Sequence, residues 1–123
     1  VWDNFRSRVV AKASPIDAGA KFRIERRDLI RDAKDSEVEG VLTNHLFEES
    51  AVCAVIAELI SKQPNGKAGT LLNNGYANLF YTSSCVVDVD GDANVRGWDV
   101  STWHRGDHRW VAGHRLFSPA TAA

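Results

Sequence analysis

Hydrophobic residues in the first half of the chain recur at the spacing of amphipathic helices. The clearest pattern predicts a helix over residues 50–62, with Ser50 as its N-cap. Burial of each aliphatic side chain on such a helix contributes about 1.5–3 kcal/mol, so the apolar face requires a second layer to cover it. The face comprises Val52, Val55, Ile56, Leu59 and Ile60.

Weaker patterns predict the other elements of this half. Helical spacing indicates a short helix over residues 2–13, and residues 18–24 alternate in the manner of a strand. Residues 25–35 are densely charged, which predicts a helix that faces mostly water. Ser36 and Glu39 have capping-box spacing and predict the start of another helix. The apolar face of that helix comprises Val38, Val41, Leu42 and Leu46.

After Lys67 the pattern changes to β-strands with a period of two. The predicted strands cover residues 79–82, 85–90, 94–104 and 108–118. The last two are expected to form a hairpin around residues 105–107, and a bulge at Ala112 and Gly113 would switch the phase of the last strand. The chain is therefore predicted to be one α+β domain over residues 1–123, with N-terminal helices packed on a C-terminal antiparallel sheet of three or four strands.

Composition and charge add few constraints. The chain has 123 residues and a net charge of −1, which fits one domain and gives no attraction to a polyanion. It has no apolar run of the about 18 residues that a membrane span requires, and no signal-sequence pattern at its start. With Cys53 and Cys85 predicted to be buried reduced thiols, we expect a cytoplasmic protein without a cofactor. Because the chain contains no Met, Val1 is not expected to be the native start of translation.

His104 and His108 flank the predicted hairpin loop and are candidate metal ligands. Placed opposite one another across two strands, their Cβ atoms would lie about 5 Å apart, so both imidazoles could reach one zinc ion. Asp107 could supply an oxygen, and His114 could join if its strand bends. The alternative is a pair of solvated histidines, because the spacing shows no further ligand.

Asp88, Asp90 and Asp92 form the segment D-V-D-G-D. The segment lacks the length, the glycine position and the closing glutamate of an EF-hand loop. Its aspartates alternate with Val87 and Val89, so we predict that they face water at the end of a strand, next to a turn.

Three of the four tryptophans lie in the last quarter of the chain, among arginines. Burial of such rings with arginine hydrogen bonds at the rim suits self-association, so we predict a homodimer. Binding of bases or of a small planar ligand is an alternative, as is aromatic covering of a small core. Nearby aspartates oppose nucleic-acid binding. The predicted contact surface, on the outer face of the last two strands, comprises Trp103, Arg109, Arg115 and Phe117.

Parts of the C-terminal half resemble known groups of proteins. The segments 69–72, 77–81 and 113–118, with Trp98 and Trp110 between them, look like the C-terminal half of small uncharacterised bacterial proteins, including some carried on plasmids and mobile gene cassettes. This resemblance implies a bacterial protein on mobile accessory DNA and no assigned activity.

Residues 86–93 and 109–115 are similar to two late strands of the ketosteroid-isomerase-like (cystatin-like) α+β proteins. The resemblance implies a pocket between helix and sheet that binds a small molecule or carries an enzyme site. Candidate polar groups for this pocket are His114, Asp99 and His45. That family usually has another long strand between the two similar ones, and this chain has no room for it, so no catalytic residue carries over.

The sequence thus leaves two functions open. The first is a small cytoplasmic interaction protein that uses its aromatic and arginine surface for self-association or partner binding. The second is a small-molecule-binding protein or enzyme of the cystatin-like kind.

Overall fold

The computed structural model describes residues 3–12, 23–42, 46–63, 69–74, 76–92, 97–105 and 109–119. The described helices are α1 (Asp3–Arg8), a 3-10 helix (Val10–Lys12), α2 (Asp35–Val41) and α3 (Glu49–Lys62). The described strands are β1 (Ile24–Asp28), β2 (Ala33–Lys34), β3 (Asn78–Tyr81), β4 (Cys85–Asp92), β5 (Gly97–His104), β6 (Arg109–Trp110) and β7 (Arg115–Pro119). The α+β class is confirmed, and so is the helix predicted over residues 50–62, although it begins at Glu49 and its N-cap is Glu48, not Ser50.

The strands of the described residues form two sheets. The larger has five strands in the order β1-β7-β3-β4-β5, and the smaller pairs β2 with β6. Most neighbours are antiparallel, but β3 and β7 run parallel. The prediction of an antiparallel sheet of three or four strands is therefore confirmed only in part, because the sheet has five strands and one parallel pair. A parallel pair requires a long connection, and the chain segment between β3 and β7 supplies it by crossing through β4, β5 and β6.

The segment predicted as one strand over residues 108–118 is two strands with different partners. A turn at residues 112–113 separates β6 from β7, and Gly113 adopts a φ of 107° there. Glycine takes this positive φ without the steric penalty of a side chain. Because of the break, β6 pairs with β2 while β7 lies between β1 and β3. The last segment therefore does not form the predicted hairpin with β5, and β5 is an edge strand of the described sheet.

The charged segment over residues 25–35 is not the predicted helix. Residues 24–28 form the edge strand β1, which pairs antiparallel with β7 along its whole length. Its charged side chains remain mostly exposed, and Asp28 accepts hydrogen bonds from Arg115 at 2.6 and 3.2 Å. Charge density correctly indicated exposure to water, but the pairing with β7 decided the conformation.

Two buried clusters lie on opposite faces of the larger sheet, since alternate residues of each strand belong to different clusters. The first joins the sheet to α1 and α3; the second joins it to α2, β2 and β6. The first cluster includes Phe5, Val52, Val55, Ile56, Phe80, Val87, Val89 and Phe117. The second includes Ala33, Val38, Leu42, Leu79, Tyr81, Val86, Trp110 and Leu116.

Two amide side chains bind backbone groups where strands and loops meet. Asn4 both donates to the carbonyl of Thr102 and accepts from its amide, each at 3.1 Å, and so occupies part of the open edge of β5. Gln63 binds both backbone groups of Leu71 in the same manner, each at 2.8 Å. An amide side chain offers the same donor and acceptor as a peptide group, so each pair closes a backbone gap that no strand fills.

Within the described part of the chain, no helix is long and apolar enough to cross a membrane. Cys53 is partly exposed and Cys85 is buried, and both are free thiols. Burial in the helix raises the pKa of the Cys53 thiol, and the charge of Glu49 adds to this effect. A raised pKa lowers the fraction of thiolate and hence the reactivity of Cys53.

Replacing Gly113 with alanine is expected to destabilise the fold by about 1 kcal/mol, because a side chain is strained at this φ. A Cβ there would also lie 2.9 Å from Cε1 of Tyr76, although that ring is partly exposed and can move aside. Gly40→Ala is the matched control: outside its own helix, no atom of the described residues would lie within 4 Å of the added Cβ, and helix propensity favours alanine. Urea denaturation should show opposite signs for the two variants. Equal effects would contradict the role assigned to the turn.

Candidate functional site

Two carboxyl groups lie beside the second buried cluster, on the α2 side of the sheet. Asp88 and Asp90 are two residues apart on β4 and therefore point to the same face as Val86. Asp88 is only 6% exposed and Asp90 is partly exposed. The prediction that these aspartates face water is wrong for Asp88, because both faces of β4 are covered and alternation alone does not identify a wet face.

The two carboxyl groups are short of hydrogen-bond donors. Nε1 of Trp103, on β5, donates to Oδ2 of Asp88 at 3.1 Å. Oδ1 of Asp88 and Oδ1 of Asp90 are buried and meet no donor from the described residues. The two carboxyl groups lie within hydrogen-bonding reach of one another, so a proton held between them would satisfy part of this demand.

The surroundings of this pair favour the protonated form. Burial, followed by the charge of Asp88 and the hydrogen bond to it, raises the pKa of Asp90 to about 7. Burial also raises the pKa of Asp88, although the hydrogen bonds from Asp90 and Trp103 oppose this effect. Asp99, directly opposite Asp90 on β5, raises both pKa values further. We infer that Asp90 holds the proton that it donates to Asp88, and that this proton is lost as the pH rises through about 7.

A continuous series of aromatic rings borders the carboxyl pair. Trp103 meets Trp110 edge-on at 6.1 Å between ring centroids, and Trp110 meets His114 at 5.5 Å. His114 in turn meets Tyr76 at 5.4 Å. Both ends of the series are open to solvent, with Trp103 42% and Tyr76 41% exposed. The site therefore offers apolar ring surface next to acidic oxygen atoms.

A buried polar group fixes the centre of this series. Asp35 is fully buried at the first residue of α2, and it accepts hydrogen bonds from the Tyr81 hydroxyl and from Nε1 of Trp110. Nε1 of Trp110 also lies 2.9 Å from the Tyr81 hydroxyl oxygen. Burial, together with the Asp35 carboxylate, raises the pKa of Tyr81 far above its usual range, so its hydroxyl remains a donor. This arrangement sets the orientation of the Trp110 ring.

His114 is held by the backbone beside the turn at Gly113. The amide of Ala77 donates to Nδ1 of His114 at 2.7 Å, which places the ring's own proton on Nε2. The carbonyl of His114 accepts from the amide of Leu29 at 2.9 Å. A positive charge on His114 would lower the pKa of Asp90, but protonation of Nδ1 would break the bond from Ala77.

The predicted contact surface is not assembled as expected. Phe117 is 1% exposed and stacks on Phe80 with 4.7 Å between ring centroids, so its assignment to a surface is wrong. The break at Gly113 places β7 inside the sheet and turns Phe117 toward α3. Trp103 points to the opposite face of the sheet from Phe117, since it pairs with Val86 of the other cluster.

The two arginines of that predicted surface are also separated. Arg115 binds the carboxylate of Asp28 and the carbonyl of Thr70, and its side chain is mostly covered. Arg109 is exposed on β6, in the smaller sheet, and pairs in register with Lys34. These arginines therefore do not form a common rim with Trp103.

The predicted metal ligands are only partly described. Nε2 of His104 lies 3.0 Å from Nη2 of Arg8, a cationic donor that competes with a metal for the same lone pair. His108, Asp107 and the pocket candidate His45 lie outside the described residues. Among the residues that the structure does describe, no group of three or more His, Cys, Asp or Glu side chains is placed to hold a metal ion.

An open groove of about 320 Å³ lies elsewhere, next to the start of β4. Its arginine, Arg105, already binds Glu39 at 2.9 Å and two backbone carbonyls. The groove therefore offers no uncommitted charge from that arginine. Its lining residues are Glu39, Ser83, Ser84, His104 and Arg105.

Comparisons of the chain with protein-family models, with curated proteins and with solved structures found no match. Of the residues proposed from the sequence for a pocket, His114 and Asp99 both act on Asp90. The site residues that the sequence analysis did not identify are Asp88 and Asp90. A signal was present, because three aspartates alternate along a strand that is followed by a tryptophan-bearing strand.

Proposed function

We propose that the protein binds a small molecule on the α2 side of its sheet, where the carboxyl pair of Asp88 and Asp90 exchanges a proton with that molecule. One observation carries the proposal: two buried carboxyl oxygen atoms that meet no donor from the described residues lie beside an exposed indole ring. Leaving such oxygens unsatisfied costs free energy, and apolar residues in their place would stabilise the sheet. A ligand that donates hydrogen bonds to these oxygens would account for their presence, so we assign a binding function to this site.

The acid–base character follows from the pKa of Asp90. A carboxyl group that ionises near pH 7 is populated in both forms at neutral pH, so it can give or accept a proton readily there. Asp88 would accept the hydrogen bond of the protonated partner, and Trp103 would hold Asp88 in place through its indole N–H. Such a pair suits a ligand that carries an ionisable group.

Fragment binding followed by NMR tests the proposal. With uniformly ¹⁵N-labelled protein, a set of small aromatic cations, anions and neutral molecules is expected to shift the indole N–H signals of Trp103 and Trp110 and the amide signals of residues 88–91. The variant Asp90→Asn should weaken the effective fragments at least about tenfold, which corresponds to about 1.4 kcal/mol.

The control is Glu58→Gln, which changes an exposed carboxylate on α3 that pairs only with Lys62 in the described ion pairs. This control should bind fragments as the unmodified protein does. Fragment shifts that cluster on α3 or on β1 instead, and that persist in Asp90→Asn, would overturn the proposed site.

Self-association is a second candidate function, supported by the exposure of Trp103 on the edge strand β5. An edge strand has backbone groups available for pairing with a second copy, although Asn4 already covers those of Thr102. A homodimer formed through this edge would bury the Trp103 ring. Arg115 and Phe117 do not take part in this version of the interface.

A further inference from the structure

We propose that the ligand of the carboxyl site is an organic cation: a primary ammonium attached to an apolar or aromatic group. The inference rests on the small-molecule site proposed above and names its class of ligand. It is carried by the hydrogen-bonding demand, the charge and the ring surface of the site.

The hydrogen-bonding demand of the site matches an ammonium group. Oδ1 of Asp88 and Oδ1 of Asp90 are acceptors, and neither meets a donor from the described residues. Asp88 is 6% exposed, so bulk water has little access to its side chain. A primary ammonium has three N–H donors and no acceptor, whereas a ligand carboxylate would bring only acceptors against these oxygens.

The charge of the site also favours a cation. Three carboxyl groups, those of Asp88, Asp90 and Asp99, act on one another, and His114 is the basic group that acts on them among the described residues. The amide of Ala77 donates to Nδ1 of His114, so a proton on that nitrogen would break this hydrogen bond. A bound cation would offset the negative charge of the carboxyl groups, and it would take the place of the proton shared by Asp88 and Asp90.

The ring surface provides for the rest of the ligand. The indole of Trp103 is 42% exposed and is joined to the carboxyl pair by its own hydrogen bond to Asp88. Aromatic faces attract organic cations and also cover apolar groups, and tryptophan is the strongest of them in this respect. Tyr76, at the other end of the ring series, is 41% exposed and extends this surface.

Binding should depend on pH because the ligand competes with a proton. Among the described residues, the titratable groups that act on Asp90 are Asp88 on the same strand, Asp99 on β5 and His114 before β7. As the pH falls through about 7, Asp90 becomes protonated and loses the negative charge with which it attracts the ammonium group. The affinity is therefore expected to fall about tenfold between about pH 8 and about pH 6.

Calorimetric titration of the full chain with three matched probes tests the inference: 2-phenylethylammonium, 2-phenylethanol and 3-phenylpropanoate. The ammonium is expected to bind at least about tenfold more tightly than the alcohol, and the carboxylate is expected not to bind. Asp90→Asn should abolish this preference for the cation, while Glu58→Gln should preserve it. The NMR signals of Trp103 and residues 88–91 locate the bound probe.

The outcomes separate this inference from the proposal on which it rests. If the alcohol or the carboxylate binds at these signals as tightly as the ammonium, the ligand is not a cation, but the small-molecule site stands. If the ammonium fails while another fragment binds there, the same conclusion follows. If calcium binds at these signals more tightly than the ammonium, the site is a metal site and the inference is wrong. If no probe or fragment reaches these signals, both are overturned.

Discussion

Asp90→Asn is expected to stabilise the protein by about 2 kcal/mol at about pH 8 and to have little effect at about pH 4. In the folded protein Asp90 has a pKa of about 7, against 3.8 for an ordinary aspartate in the unfolded chain. Protonation of Asp90 therefore contributes stability that is fully present below about pH 4 and is lost as the pH rises through about 7. Because Asp90 is partly exposed, solvent screening halves the free energy that the pKa difference alone would give.

The measurement is the free energy of unfolding by urea at a series of pH values between about 4.5 and about 8.5. The comparison of Asp90→Asn with the unmodified protein removes the contributions of other groups. These include Asp28, whose pKa is lowered by the hydrogen bond from Arg115 and which therefore stabilises the fold at higher pH. The difference between the two curves should grow with pH and level off above about 7.5.

Glu58→Gln serves again as the control, since it removes an exposed carboxylate from an i,i+4 ion pair on α3. Its curve should stay within about 0.5 kcal/mol of the unmodified protein at every pH. Parallel curves for Asp90→Asn and the unmodified protein would mean that Asp90 has an ordinary pKa. Its carboxyl group would then be solvated, and the site built around it would lose its basis.

A variant that gains stability when an acidic residue is removed is typical of a functional site. Natural sequences keep destabilising groups where binding or catalysis requires them, and substitution at such positions exchanges activity for stability. The opposite is expected of Asp35, which is fully buried but receives hydrogen bonds from Tyr81 and Trp110. Asp35 and Asp90 differ in whether the described part of the chain supplies donors to all their buried oxygen atoms.

Local patterns in the sequence were sufficient for elements whose stability is determined along the chain. The helix over residues 50–62 has an uninterrupted apolar face, and this face belongs to the first buried cluster as α3. The strands near residues 79–82, 85–90 and 94–104 were also found, with changed ends, because β-branched and aromatic residues alternate there. These elements form the part of the fold that carries Asp88 and Trp103.

The errors concern pairing between distant segments. β1 has one partly buried residue and four exposed ones, so its sequence shows no alternation of buried and exposed positions. It is a strand because it pairs with β7, which is distant in the chain. The split of the last segment at Gly113 was anticipated only as a bulge, although Gly113 takes a positive φ that ends the strand. Sequence periodicity identifies the two faces of a strand but does not show what covers each one.

The same limit explains why the carboxyl site was missed. Asp88 and Asp90 alternate with Val87 and Val89, a pattern typical of a sheet with one wet face. In the structure a second layer formed by α2, β2 and β6 covers the adjoining part of that face, and Trp103 binds Asp88 directly. The sequence pattern alone therefore does not distinguish a buried aspartate from a solvated one at this position.

Phe117→Ala is expected to reduce the free energy of unfolding by about 3–5 kcal/mol, because it leaves a cavity in a closely packed core. Phe117 is 1% exposed and lies almost parallel to the ring of Phe80, with 6° between the ring planes. A loss of this size is a large part of the total free energy of unfolding of a typical domain, which is about 5–15 kcal/mol. Urea denaturation monitored by tryptophan fluorescence measures it.

Trp103→Ala is the matched comparison, since this ring was assigned to the same surface as Phe117 but lies on the other face of the sheet. It loses a hydrogen bond to Asp88 and one edge-on ring contact, so a smaller cost of about 1–2 kcal/mol is expected. Sedimentation equilibrium of the folded variant then tests self-association. A weaker dimer would support the edge-strand interface, whereas an unchanged association constant would exclude Trp103 from it. If Phe117→Ala instead reduces the free energy of unfolding by as little as Trp103→Ala, the assignment of Phe117 to the core is wrong, because removing a buried phenylalanine ring is expected to have a larger effect.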